Sequence, residues 1–133
     1  MTPQEILDLA REHAAAEAEN DAERTLATLV DEPTYEFWPM GKGFTGGDLA
    51  RTFYLEQYPK FAQRVTNYGV LGEWTNDQCA IQEYWIELDG QTRHMVMSMM
   101  PAEGDLLAGE KLYCDDAFVE ALLGPLCVHL NPL

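Results

Sequence analysis

The sequence predicts an α+β fold: three N-terminal helices packed on a curved mixed, largely antiparallel sheet. Three observations carry this expectation. Apolar residues recur at helical spacing between Pro3 and Val30. From Val65 onward they fall instead into strand-length runs parted by turn residues such as Asn76-Asp77 and Asp89-Gly90. The order of elements has helices grouped first and strands later, without the regular strand–helix alternation that builds a parallel sheet.

Each element has its own signal. Thr2-Pro3 with Glu5 reads as a capping box and first turn, and Ile6, Leu7, Leu9, Ala10 and Ala14 continue an amphipathic helix over residues 3–18. A second helix begins near Asn20-Asp21, carries Ala22, Leu26, Leu29 and Val30, and is stopped by Pro33. The aromatic run PTYEFWP, residues 33–39, predicts a short strand, and MGKGFTGG after it a glycine-rich loop. Asp48 opens a third helix reaching about Ala62. Four strands follow, VTNYGVLGEW, CAIQEYWIEL, TRHMVMSMM and LLAGEKLYC. Asp115 and Asp116 then cap a short helix ending at Leu123-Gly124.

Composition bounds the function. At 133 residues the chain predicts one domain, 1–133, with enough surface to bury that disulfide or metal staples are not needed. Twenty-three Asp and Glu stand against 8 Lys and Arg, a formal net charge of -15, which repels phosphate backbones and anionic membrane surfaces, so no nucleic-acid or membrane partner is expected. The N-terminus lacks the basic flank and apolar run of a signal peptide and no stretch is long enough to span a bilayer, which points to a cytoplasmic protein. Cys79, Cys114 and Cys127 are odd in number and widely spaced, without a CxxC pair. No metal-ligand spacing, GxGxxG or phosphate-loop motif is present, so no metal or other cofactor is expected. Ser98 has no nucleophile-elbow setting, and neither Cys79 nor Cys114 has a visible activating base.

Several of these segments resemble one family. Tyr35-Glu36-Phe37-Trp38-Pro39 with Gly43 to Gly46 is similar to the first strand, proline and glycine loop of SnoaL-like members of the nuclear transport factor 2-like superfamily. Phe53-Tyr54 resembles the aromatic pair on that family's third helix, and Tyr113-Cys114-Asp115 before Leu123-Gly124 its closing strand and last turn. The resemblance implies a cone-shaped α+β barrel around an apolar pocket, commonly in a homodimer, with a polar side chain such as His13 contributed by the first helix. The superfamily holds ketosteroid isomerases, polyketide cyclases, dehydratases, epoxide hydrolases and members that only bind, so the likeness selects no single reaction. Where the isomerases keep a carboxylate base before the proline, this chain has Trp38.

Strand pairing gives a local expectation for the pocket. A two-residue loop at Asp89-Gly90 sets Trp85 opposite His94 and Glu83 opposite Val96. With an Asn76-Asp77 loop before it, one face collects Tyr68, Val70, Trp74, Glu83, Trp85, His94, Val96 and Ser98. Tyr84, Ile86, Met95 and Met97 fall on the other face. A one-residue slip exchanges the faces. On this register His94 and Glu83 form a diagonal acid/base pair. Trp38, Tyr54, Tyr68, Trp74, Trp85, Val96, Ser98, Tyr113 and His13 are the candidate ligand-binding residues, and Asp115 reads first as a helix cap.

The function these readings favour is a cofactor-independent small-molecule enzyme using acid/base chemistry on a polyketide-, terpenoid- or steroid-like substrate by isomerisation, cyclisation, dehydration or epoxide hydrolysis. The alternative is a noncatalytic ligand-binding or dimerisation module of the same fold, favoured by the missing first-strand carboxylate.

Overall fold

A computed structural model describes residues 1–133. Helix α1 (Pro3–Ala18) starts at the expected capping box: Glu5 N–H donates to Thr2 Oγ1 at 3.1 Å and Thr2 N–H to Glu5 Oε1 at 2.9 Å. Helix α2 is only Ala22–Leu26, shorter than its apolar spacing predicts. The hydroxyls of Thr25 and Thr28 turn back to the carbonyls of Asp21 and Thr25, and Leu107 N–H takes the Thr28 carbonyl at 2.8 Å. That pairing draws the next residues into strand β1 (Leu29–Trp38), which runs through Pro33 at an irregularity in its ladder.

The glycine-rich segment is not all loop. Lys42–Thr45 forms β2, antiparallel to β1 with Tyr35 opposite Phe44. The third helical stretch is a regular α3 (Gly47–Thr52), a π-helical turn (Phe53–Gln57) and α4 (Tyr58–Arg64). Pro59 accounts for the turn: its ring displaces the carbonyl four residues back and it has no N–H to offer, so Tyr58 N–H reaches five residues back to Phe53. The remaining elements are β3 (Val65–Thr75), β4 (Cys79–Leu88), β5 (Thr92–Glu103), β6 (Leu106–Tyr113), α5 (Asp116–Leu123), a 3₁₀ turn (Gly124–His129) and β7 (Asn131–Pro132).

The sheet order is β3-β4-β5-β6-β1-β2-β7, with β1 and β6 parallel and the other neighbours antiparallel. It is open, with β3 and β7 as its edges, and the helices pack on it as the expected α+β fold requires. Register shifts in β3–β4 and β5–β6 mark bulges of the kind that bend strands. Helix α1 lies against β3, β4 and β6, and the core of Ile6, Phe37, Phe53, Phe61, Val96, Met100, Leu112 and Phe118 fills the space between helices and sheet.

The β4–β5 register differs from expectation by one residue. Asp89 and Gly90 both take left-handed backbone as predicted, but Gln91 is an additional loop residue and Leu88 pairs with Thr92. Ile86 therefore faces His94, Tyr84 faces Val96 and Gln82 faces Ser98, while Glu83 and Trp85 pair with Met97 and Met95.

Candidate functional site

Between the helices and the inner face of the sheet lies a cavity of about 460 Å³. Most of its wall is apolar or aromatic, supplied by Tyr35, Phe53, Tyr58, Phe61, Tyr84 and Phe118. Tyr68, 62% exposed, and Val70, 59% exposed, line the part of the wall that reaches the surface. The polar groups gather on His13 and Glu17 of α1, Ser98 of β5 and Glu110 of β6.

His13 is fully buried, and its hydrogen bonds decide how it can act. Thr28 commits its one hydroxyl proton to the Thr25 carbonyl at 2.6 Å, so at 2.7 Å from His13 Nδ1 its oxygen must accept. Nδ1 thus carries a proton, and Nε2 is the position that exchanges one. Nε2 lies 3.3 Å from Glu17 Oε1, 3.7 Å from Glu110 Oε2 and 3.2 Å from the Tyr54 hydroxyl. Ser98 Oγ–H donates to Glu110 Oε1 at 2.8 Å, and the Tyr35 and Tyr54 hydroxyls meet at 2.5 Å.

Burial opposes charging of His13, but the Glu17 and Glu110 carboxylates outweigh it and raise the imidazole to about 9. Burial raises Glu17 to about 8; His13 partly offsets this and Glu110 adds to it. The hydroxyls of Tyr35, Tyr54, Tyr58 and Tyr84 are pushed well above the usual tyrosine value, first by burial. One ligand atom from each of His13, Glu17 and Glu110 lies within 4.8 Å of the others, a mixed imidazole and carboxylate set able to hold a divalent ion. No metal-ligand spacing appears in the sequence because Glu110 joins the two α1 residues only through the fold.

The predicted site residues divide into three groups. His13, Tyr68 and Ser98 line the cavity. Tyr54 reaches the cluster through its hydroxyl, Val96 is buried core, and His94 is buried outside the cavity wall. Trp38, Trp74, Trp85, Tyr113 and Glu83 lie on the outer face: Trp38 pairs with Tyr113, Trp74 with Ile81, Trp85 stacks under Arg93 and Glu83 pairs with Met97. The shifted β3–β4 and β4–β5 registers put Trp74, Trp85 and Glu83 there, so the expected His94–Glu83 pair does not form, while Trp38 and Tyr113 face outward by the alternation of β1 and β6.

His94 Nδ1 meets Asp115 Oδ2 at 2.6 Å instead, and Asp115 Oδ1 accepts from Phe118 N–H at 2.7 Å as the cap of α5. Burial raises the Asp115 carboxyl, but the bonds from His94 and Phe118 outweigh it and hold it below the ordinary range. Burial pushes the neighbouring Cys114 thiol up to about 12, with Asp115 and Asp116 adding, which makes it a poor nucleophile.

Glu110, Tyr84 and the role of Glu17 are missed by the sequence reading. The signal for Glu110 was its position two residues before Leu112, in phase with the inward side of β6. Tyr84 and Ile86 carried the right alternation but were assigned to the wrong face by the loop length.

The fold is one shared with solved NTF2-like proteins. A steroid delta-isomerase from Pseudomonas aeruginosa matches with a TM-score of 0.69 and 11% identity, over 94% of this chain and 90% of that one. An NTF2-like protein of unknown function from Cytophaga hutchinsonii matches with a TM-score of 0.68 and 16% identity, over 86% and 93%. A de novo designed protein with a curved β-sheet matches at 0.72 and 15%, over 92% and 94%. No family model and no curated protein matches the chain. At these identities the likeness establishes the shared fold, and any activity has to be argued from the cavity.

Proposed function

We propose that the protein is a small-molecule enzyme that works by proton transfer, with the reaction centred on His13, Glu17 and Glu110. The observation that carries this reading is the buried His13 Nε2 set between two carboxylates at the polar part of an otherwise apolar cavity. In the reaction Glu110 is the base: Ser98 holds its Oε1, leaving Oε2 to take a proton from the substrate. His13, locked by Thr28 so that Nε2 does the exchanging, is the acid that returns a proton. Glu17 raises the proton affinity of the imidazole, and Tyr54 helps hold its ring. The aromatic wall excludes water and strengthens these interactions. Isomerisation, cyclisation, dehydration and epoxide opening all use such a relay, on a polyketide-, terpenoid- or steroid-like skeleton. A steroid delta-isomerase sharing the fold is consistent with this class of chemistry.

The test is conversion of a panel of apolar ketones, enones and epoxides followed by NMR in deuterated water. The wild type is expected to convert at least one class, and Glu110→Gln and His13→Gln to lose about 10²–10⁴-fold in turnover while keeping a cooperative unfolding transition. Conversion that survives both substitutions moves the chemistry away from this cluster. Ligands retained unchanged throughout the panel favour a binding module.

We also infer a cytoplasmic homodimer joined through the outer sheet face. Trp74, Met95, Met97 and Tyr113 are exposed there, an apolar surface that a second copy would cover. No helix is long and apolar enough to cross a membrane.

A further inference from the structure

We propose that the ligand of this cavity is an organic cation, a largely apolar skeleton bearing a protonated or quaternary amine that sits beside Glu17 and Glu110. This deepens the proton-transfer reading by naming the substrate class of the same cavity.

Three observations lead to it. First, acids outnumber bases in the wall. Glu17 and Glu110 line the cavity, His13 is the sole basic side chain among its lining residues, and neither Lys nor Arg is present there. The two carboxylates share one imidazole, His13. Second, the wall is rich in rings from Tyr35, Phe53, Tyr58, Phe61, Tyr84 and Phe118. Aromatic side chains interact favourably with ammonium groups, and more strongly where water is excluded. Third, the net charge of -15 raises the local concentration of cations and lowers that of anions. An anionic ligand would have to approach Glu17 and Glu110.

The groups facing Glu17 come from every element around it: His13 on its own helix, Glu110 on β6, Tyr35 on β1, Tyr54 in the π-helical turn, Tyr58 at the start of α4 and Tyr84 on β4. Among these His13 alone can offer positive charge. A bound ammonium beside Glu17 and Glu110 supplies the positive charge that His13 alone otherwise provides.

Benzyltrimethylammonium, which stays charged at every pH, is the probe, with benzyl alcohol and benzoate as uncharged and anionic counterparts. Calorimetric titration of the intact protein is expected to show the cation binding at least about tenfold more tightly than benzyl alcohol, with benzoate weakest. Glu17→Gln and Glu110→Gln should each reduce affinity for the cation relative to benzyl alcohol. Equal or weaker binding of the cation relative to benzyl alcohol, or no binding of it at millimolar concentration, overturns the proposal. Should either variant fail to fold, the wild-type comparison of the three probes still decides. Turnover of uncharged compounds without cation preference would leave the proton-transfer reading standing and this one refuted; cation preference without any turnover would do the reverse.

Discussion

Thr28 shows how one hydroxyl sets the chemistry of a buried ring. Because its proton goes to the Thr25 carbonyl, His13 must donate from Nδ1 and present Nε2 to Glu17 and Glu110. His13 and Glu17 both bind protons more tightly folded than unfolded, at about 9 against 6.5 and about 8 against 4.5. The stability they contribute is therefore present at low pH and lost as pH rises, between about 4.5 and 8 for Glu17 and between about 6.5 and 9 for His13. Thermal unfolding midpoints should fall across that range, and Glu17→Gln should flatten the fall between about pH 5 and 8. A variant with the wild-type slope would mean that Glu17 does not hold the extra proton.

Asp115 is the second test at this scale. It caps α5 and holds His94, so Asp115→Ala should cost roughly 1–2 kcal/mol in urea unfolding, with Asp115→Asn recovering most of the cap. The capping role was readable from an Asp before an apolar helical run. Its bond to His94 was not, because that requires β5 to be placed beside the start of α5.

At the scale of elements, the β1–β6 pair ties the two ends of the chain's pattern together and carries Glu110 to the cavity. Gly109 makes the close approach possible: its φ is 132°, and a Cβ there would stand 1.9 Å from the Thr34 carbonyl oxygen. Gly109→Ala should cost about 3–5 kcal/mol by forcing β1 and β6 apart, read by denaturant unfolding. A loss below about 1 kcal/mol would show that the ladder yields easily. The helices and long strands were legible because their apolar periods differ. The extent of α2, the start of β1 and strand β2 were not, because Leu29, Lys42 and Gly43 become strand only by pairing with β6, β1 and β7.

For the whole molecule, the exposed Trp74, Met95, Met97 and Tyr113 on the outer sheet face are the feature that the proposed dimer explains. Met97→Glu sets a second carboxylate directly opposite Glu83 on that face and should shift the protein to monomer in sedimentation equilibrium at micromolar concentration, with the cavity's binding properties retained. A wild-type monomer under those conditions would refute the dimer.

By itself the sequence determined the α+β class, the capping of α1 and α5, the long strands and the acidic character, because local spacing and composition carry those properties. Only the tertiary structure decided which sheet face meets the helices. Gln91 adds one residue to a loop whose turn conformation was otherwise foreseen, and the alternation of side chains along β4 converts that single residue into an exchange of faces. The same holds for the cluster: His13 and Glu17 share a helix face by their spacing, but Glu110 reaches them from β6 through sheet pairing, a long-range contact that no local period encodes.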